Sequence, residues 1–164
     1  MKNFISGFFC LLITLTLSGF QPKPLQEYCN DRFSFCVQHP SAFIGDGESG
    51  NGDGQLFLSE DKQAEIRAYG ELALEEVNEN LSDVYTSATR HLQVSYKVVK
   101  PEWFVISGLD EKGKIVYRKT VKKKIRYMGG EKEDTSVYQT LMITYPKSKQ
   151  SLYGSYCGVI SKSL

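Results

Sequence analysis

Short segments in which apolar and polar residues alternate recur along the chain, and this pattern predicts β-strands. In one of them the alternation places Phe33, Phe35 and Val37 on one face of a strand and Cys36 on the other. The segment over residues 103–106 is apolar on both faces, which is typical of a central strand. The predicted strands cover residues 25–29, 32–38, 55–58, 64–70, 93–99, 103–109, 114–121 and 137–145.

Apolar residues recur at helical spacing in two places. The first follows Asn80, a residue type that favours helix N-caps, and contains Leu81, Val84, Tyr85, Ala88 and Leu92. The second lies at the C-terminus and contains Tyr153, Tyr156, Cys157, Ile160 and Leu164. Consecutive strands with only two helices predict an α+β domain, in which an antiparallel β-sheet carries two main helices packed on it.

The N-terminal residues differ from the remainder of the chain. Lys2 is the only charged residue before Lys23, and residues 8–17 form an apolar run. A basic start, a short apolar run and small residues at its end are typical of a secretory signal peptide, and the run is too short to span a membrane. We therefore predict a signal peptide over residues 1–19, a Pro-containing tether over 20–27 and a single domain over 28–164.

The residue at position 20 bears on whether the exported chain carries a lipid anchor. Phe20 occupies the position at which a bacterial lipoprotein would carry its lipid-modified cysteine. We therefore expect a soluble protein of the periplasm or the extracellular space, with no lipid anchor and no stable membrane span.

The composition fits one ordinary globular domain, since 41% of the 164 residues are hydrophobic and 12% are aromatic. Its 20 basic and 19 acidic side chains argue against nucleic acid as a partner, because that binding usually needs a basic excess.

Three cysteines remain once residues 1–19 are removed. Cys157 lies on the apolar face of the C-terminal helix, where it is most simply a small buried side chain. We therefore expect a disulfide between Cys29 and Cys36, and such a short closed loop stabilises by roughly 2–3 kcal/mol. A bond between Cys36 and Cys157 is the alternative. A zinc site built from Cys29, Cys36 and His39 lacks a fourth ligand at suitable spacing.

The strongest local feature is a basic segment over residues 117–127. Six of its eleven residues are basic, namely Arg118, Lys119, Lys122, Lys123, Lys124 and Arg126. One interpretation is a docking surface for an anionic partner, such as an acidic protein, a lipid headgroup or an envelope polyanion. The other is an edge strand whose lysines prevent pairing with other sheets.

Other candidate chemistry is weaker. The glycine-rich segment over residues 45–54 does not fit the ligand spacing of a calcium loop, and its composition predicts a flexible loop. A Cys–His nucleophile would need an exposed Cys157 beside His39 or His91. The chain carries none of the hydrolase, metalloprotease or phosphate-loop motifs. We therefore predict no catalytic residue, metal ligand or cofactor.

Several short segments follow a familiar order along the chain: residues 32–35 before His39 and Pro40, then 51–54, 103–108, 116–119 and 143–146. In this layout the chain resembles a group of exported bacterial proteins of unknown function that are similar to the PsbP-like superfamily, which also includes DcrB and Mog-type proteins. The resemblance covers nearly all of residues 28–164. It implies a PsbP-like fold and a non-enzymatic binding or accessory role, and it carries over no catalytic or ligand residues.

These observations together predict an exported, non-catalytic binding or accessory protein of the cell envelope or extracellular space. Its partner would be another protein of that compartment, and the first candidate binding surfaces are the basic segment and the glycine-rich segment over residues 45–54. Two alternatives belong to other classes of function. One is an exported inhibitor or immunity-type protein that blocks a partner enzyme, and the other is a small hydrolase with an unrecognised site.

Overall fold

The computed structural model describes residues 24–75, 77–131 and 135–164. The predicted signal peptide and the first half of the predicted tether, residues 20–23, lie outside these residues. Within them the α+β class is confirmed, with antiparallel strands and two helices. The strands are β1 (Leu25–Asn30), β2 (Phe35–Pro40), β3 (Phe43–Glu48), β4 (Gly54–Ser59), β5 (Glu65–Leu72), β6 (Leu92–Val99), β7 (Trp103–Asp110), β8 (Lys114–Ile125) and β9 (Thr135–Pro146), and the helices are α1 (Leu81–Thr89) and α2 (Gln150–Ile160).

Seven of the strands form one antiparallel sheet, and β1 and β2 form a separate hairpin. The order across the sheet is β3-β4-β5-β9-β8-β7-β6, so β3 and β6 are its edges. The central strand β9 pairs with β5 on one side and with β8 on the other. Among the described residues, no helix has both the length and the apolar character that a bilayer span requires.

Each face of the sheet carries its own apolar cluster, because alternate residues of a strand point to opposite faces. Odd-numbered residues of β9, such as Leu141 and Ile143, face the β1–β2 hairpin and α2, and we call this side the hairpin face. Even-numbered residues such as Tyr138 share the other side with Phe104 and Ile106, against Leu81 and Val84 of α1. We call this second side the α1 face.

A glycine allows the hairpin to approach the sheet closely. Phe33 lies in the turn before β2, yet it is only 1% exposed, as the alternation of the sequence predicts. A Cβ atom on Gly70 of β5 would stand 2.0 Å from the Cγ atom of Phe33. The absence of a side chain at Gly70 therefore makes room for the Phe33 ring.

One prediction about an individual element is wrong. The segment over residues 45–54 is not a loop along its whole length, because Phe43–Glu48 pairs with β4 as an edge strand. A register shift between Gly45 and Glu48 accommodates Gly47, whose φ is 85°. The strand predicted over residues 25–29 is present, because Leu25 begins β1 opposite Pro40 of β2.

Candidate binding surface

The strand that carries the basic segment, β8, lies inside the sheet. It pairs with β9 along its entire length and with β7 from Ile115 to Val121. The interpretation of this strand as an edge strand protected by lysines is therefore wrong, because the backbone of β8 forms hydrogen bonds with β7 on one side and with β9 on the other. Only residues 123–125 extend beyond the end of β7 as part of a two-stranded ribbon with β9.

Strand alternation divides the six basic residues between the two faces of the sheet. Arg118, Lys122 and Lys124 point to the α1 face, whereas Lys119 and Lys123 point to the hairpin face. Arg126 follows the end of the strand. The sequence suggested one continuous basic patch. The structure instead divides the six residues between the two faces and the end of the strand.

Two of the lysines make hydrogen bonds within the chain. The Lys119 ammonium donates to the carbonyl oxygen of Ser161 at 2.8 Å and to that of Leu164. Burial, with a smaller contribution from the charge of Lys123, lowers the pKa of Lys119. The Lys122 ammonium donates to the carbonyl oxygen of Glu79 at 2.9 Å. These two lysines therefore hold the C-terminus and the segment before α1 against the sheet.

The remaining basic side chains lie at the end of the β8–β9 ribbon. Lys123, Lys124 and Arg126 are exposed, and the described residues offer them no ion-pair partner. Met128 follows them in a tight turn with its side chain 75% exposed. We call Lys123, Lys124, Arg126 and Met128 the hairpin end. The name refers to the β8–β9 hairpin and not to the β1–β2 hairpin. Glu131, further along the same connection, is also exposed.

A second surface lies on the α1 face, on the part of the sheet away from the helix. Arg67 of β5 and Arg118 of β8 are the two cross-strand neighbours of Met142 in β9, so the three side chains form one row. We call them the arginine row. Arg67, Met142, Leu56 and Tyr69 line a depression of about 650 Å³, whose far rim is the β3–β4 turn. Its volume is in the range of small-molecule sites.

The acidic residues of the β3–β4 turn are mostly occupied by protein donors. Glu48 accepts hydrogen bonds from the Tyr28 hydroxyl at 2.8 Å and from the Asn30 amide at 3.3 Å. Burial, together with Glu48, raises the pKa of Tyr28 to about 12. Asp53 forms an ion pair with Arg32 at 2.9 Å. These carboxylates therefore hold the hairpin against the turn, and their arrangement is not that of a calcium loop.

The cysteines follow the expected pairing in the structure. Cys29 and Cys36 face each other across the β1–β2 ladder at disulfide-bonding distance, with Cα atoms 4.0 Å apart. Glu27 lies beside the two sulfur atoms, but sulfur atoms in a disulfide are not available as metal ligands. Cys157 is free and half-buried, with its sulfur 3.7 Å from the Tyr145 hydroxyl oxygen. Burial raises the pKa of the Cys157 thiol, which makes it a weak nucleophile at neutral pH.

The two histidines lie in different environments. His39 is 4% exposed, its ring centroid lies 4.1 Å from that of Phe57, and burial lowers its pKa. His91 is exposed and forms an ion pair with Glu111 when protonated, at 2.9 Å. Neither histidine contributes to the hydrogen bond of Cys157, which is made with Tyr145.

The sequence gives no signal for the contacts of Arg32. Its guanidinium donates to the Tyr127 hydroxyl at 2.7 Å and to the Asn51 carbonyl oxygen, in addition to its ion pair with Asp53. It also lies 5.3 Å from the centroid of the Phe33 ring. One side chain thus joins three segments that are distant in sequence, and no spacing rule connects them. The arginine row is equally hidden, because only the pairing of β5, β9 and β8 brings its members together.

Comparison with known proteins supports the fold. The solution structure of cyanobacterial PsbP (CyanoP) from Synechocystis sp. PCC 6803 is similar to this chain, with a TM-score of 0.54 over 92% of this chain and 96% of that chain. The sequence identity is 11%, so the similarity shows a PsbP-like fold and no more. No protein-family model matches the chain, and no curated protein sequence matches it.

Proposed function

We propose that this chain is an exported, non-catalytic binding or accessory protein that docks on an anionic partner protein of the cell envelope or extracellular space. The observation that carries this proposal is the hairpin end. Lys123, Lys124 and Arg126 are exposed and have no acidic partner among the described residues. Their positive charge is therefore available to attract an acidic surface.

Met128 adds an apolar contact beside these charges. Met128 is 75% exposed in the turn that follows β8. Methionine is flexible and polarisable, and it is common at surfaces that adapt to a partner. The hairpin end therefore combines charge, which steers association, with an apolar group that becomes buried in the complex.

The surroundings of the nucleophilic and basic side chains support a role without catalysis. The Cys157 thiol is half-buried with a raised pKa, and His39 is a buried side chain that packs on Phe57. The Cys29–Cys36 disulfide supports export, because such bonds persist in oxidising compartments. The PsbP-like fold is compatible with an accessory role.

Charge reversal at the hairpin end tests the docking proposal. We expect the variant Lys123→Glu/Lys124→Glu/Arg126→Glu to lose binding to immobilised poly-glutamate and to lose the protein partner cross-linked in the native envelope fraction. The matched control is Lys97→Glu/Lys100→Glu/Lys112→Glu, because these three residues are also exposed and the net charge changes equally. Lys122 is left unchanged, because it bonds to Glu79 within the chain.

Two results would contradict the proposal. One is equal partner capture by the hairpin-end variant and the wild type. The other is an equal loss in both variants, which would indicate a response to net charge alone. Circular dichroism and thermal unfolding of all three proteins serve to establish that each variant is folded.

A further inference from the structure

A cavity on the hairpin face lies between the edge strand β6 and the start of α2, and we call it the β6–α2 cavity. Its volume is about 480 Å³, which is in the range of small-molecule sites. Strand β6 has a register shift between Val94 and Tyr96, so Ser95 has no register partner in β7, and Ser95 lines the cavity. Bulges of this kind are common beside binding sites, because they redirect the side chains of an edge strand.

Four polar side chains that line the β6–α2 cavity have no partner among the described residues. They are the amides of Gln93 and Gln150, the hydroxyl of Ser107 and the ammonium of Lys147. A few convergent polar groups in a concave place are the usual feature of a ligand site. These four groups are therefore available to hold a ligand.

The chemical character of the lining indicates the class of ligand. Lys147 is the one charged residue that lines the cavity, so the cavity favours a single negative charge. Amides and hydroxyls both donate and accept hydrogen bonds, and the hydroxyl groups of a sugar do the same. Leu109, Ile115 and Tyr145 contribute apolar surface, against which the C–H groups of a sugar ring can pack.

The carboxylate that is nearest to the lining in sequence does not compete for Lys147. Asp110 follows Leu109 in β7, and it accepts hydrogen bonds from the backbone N–H groups of Lys112 at 2.9 Å and of Lys114 at 2.7 Å. Lys147 is exposed and forms no ion pair with any described residue. Its ammonium is therefore free to meet a carboxylate of the ligand.

We propose that the β6–α2 cavity binds a sugar acid of the hexuronate class, whose carboxylate meets Lys147. The hydroxyl groups of the sugar bond to the amides of Gln93 and Gln150 and to the hydroxyl of Ser107. This site goes beyond the proposed function and does not rest on it, because none of its residues belongs to the hairpin end. A free hexuronate and a uronate at the end of a glycan share this chemistry, and the experiment distinguishes the two.

Titration of the purified protein with glucuronate tests the site. We expect saturable shifts in the ¹H–¹⁵N spectrum at the side-chain amides of Gln93 and Gln150 and at the backbone amides of Ser107 and Leu109. Glucose lacks the carboxylate, and we expect it to bind about fivefold more weakly, which is the scale of an exposed ion pair. Cyclohexanecarboxylate keeps a six-membered ring and the carboxylate but has no hydroxyl groups, and we expect it to bind about tenfold more weakly.

Two results of this titration would overturn the proposal. One is the absence of saturable shifts at these groups with glucuronate. The other is an affinity for cyclohexanecarboxylate equal to that for glucuronate, which would show that the amides and the hydroxyl do not recognise the ligand.

Reversal of the single charge gives a test that misfolding cannot imitate. We expect Lys147→Glu to bind 6-amino-6-deoxyglucose, which has an ammonium in place of the carboxylate, more tightly than glucuronate. Lys162→Glu changes the net charge equally at an exposed position outside the cavity, so it should keep the preference of the wild type for glucuronate. A Lys147→Glu variant that still prefers glucuronate would contradict the proposal.

A second variant tests the hydrogen-bonding groups. We expect Gln93→Ala/Gln150→Ala to raise the Kd for glucuronate about tenfold, because two amides no longer bond to the sugar. An unchanged Kd in this variant would contradict the assigned contacts, and thermal unfolding serves to establish that the variant is folded.

A further ligand distinguishes the two sources of the sugar acid. Methyl glucuronoside carries a methyl group where a glycan would continue. Retained affinity for it assigns the site to a glycan end, lost affinity assigns it to the free sugar acid, and either result supports the proposal. The triple hairpin-end variant should bind glucuronate like the wild type, so loss of partner capture with intact glucuronate binding, or the reverse, identifies which of the two proposals fails.

Discussion

At the scale of single residues, a few polar side chains determine how the hairpin meets the sheet. The Gln139 amide in β9 donates to the carbonyl oxygens of Phe33 at 2.8 Å and of Ser34 at 3.1 Å. Gln139 is fully buried, so loss of these bonds would leave carbonyl groups unsatisfied in the core. Arg32 performs a similar role at the rim, where it joins Asp53 and Tyr127. The hairpin is thus fixed by polar contacts as well as by the Phe33 ring.

We expect His39 to make the stability of the fold sensitive to acid. Burial lowers the pKa of His39, so the folded state favours the neutral ring whereas the unfolded chain takes up a proton near the ordinary value of 6.5. The neutral ring therefore contributes to the free energy of unfolding above pH 6.5, and this contribution is lost as the pH falls through the folded-state pKa of His39. We expect the free energy of unfolding to decrease in this range with a slope of up to about 1.4 kcal/mol per pH unit.

The measurement is urea unfolding at a series of pH values below 7. We expect the variant His39→Gln, which cannot titrate, to lose this slope. His91→Gln is the matched control, because the His91 side chain is 71% exposed, and we expect it to retain the slope of the wild type. A wild-type slope that persists unchanged in His39→Gln would show that other groups are responsible.

At the scale of elements, the disulfide adds to the contacts that stabilise the β1–β2 hairpin, because a two-stranded ribbon alone is marginally stable. The bond joins Cys29 to Cys36, seven positions apart, and both residues are exposed. We expect Cys29→Ser/Cys36→Ser to lower the free energy of unfolding by roughly 2–3 kcal/mol. Chemical denaturation with and without a reductant measures this loss. A double variant as stable as the wild type would contradict it, and Cys157→Ser serves as the control that keeps the disulfide.

Most elements could be predicted from the sequence, because the alternation of apolar and polar residues survives in the burial of the strands. The exception at Phe43–Glu48 has a physical reason. An edge strand has one pairing partner, and all of its residues after Phe43 are exposed, so no alternation marks it. Glycine and aspartate in such a strand are indistinguishable by composition from a loop.

The candidate sites were less predictable than the elements. Local composition identified the basic segment, and Lys123, Lys124 and Arg126 are indeed exposed. The same composition could not show that Lys119 and Lys122 bond within the chain, because their partners Ser161 and Glu79 lie about forty residues away. Strand order is a non-local property, so neither the internal position of β8 nor the arginine row could be predicted.

At the scale of the whole molecule, the two faces of the sheet are covered unequally. The β1–β2 hairpin and α2 pack on the hairpin face. On the α1 face the single helix packs over Phe104, Ile106 and Tyr138. This arrangement leaves the depression beside Met142 open at the middle of the sheet and the hairpin end at its margin.

The predicted export of the chain is a question at the scale of the whole molecule, and the mass of the processed protein tests it. The small residues Ser18 and Gly19 predict cleavage after one of them, so the mature protein should begin at Gly19 or Phe20. We expect the intact mass of the secreted protein under non-reducing conditions to match that chain minus two hydrogens for one disulfide. Thiol labelling after denaturation should detect one free cysteine, Cys157.

A charge in the apolar run provides the control for this prediction. Leu12→Arg interrupts the run over residues 8–17, so we expect this variant to remain in the cell with residues 1–19 attached. The interruption leaves every described residue of the folded domain unchanged, so any difference in processing is due to the N-terminal segment. A wild-type chain that keeps residues 1–19, or that carries three free thiols, would contradict export into an oxidising compartment and with it the proposed place of action.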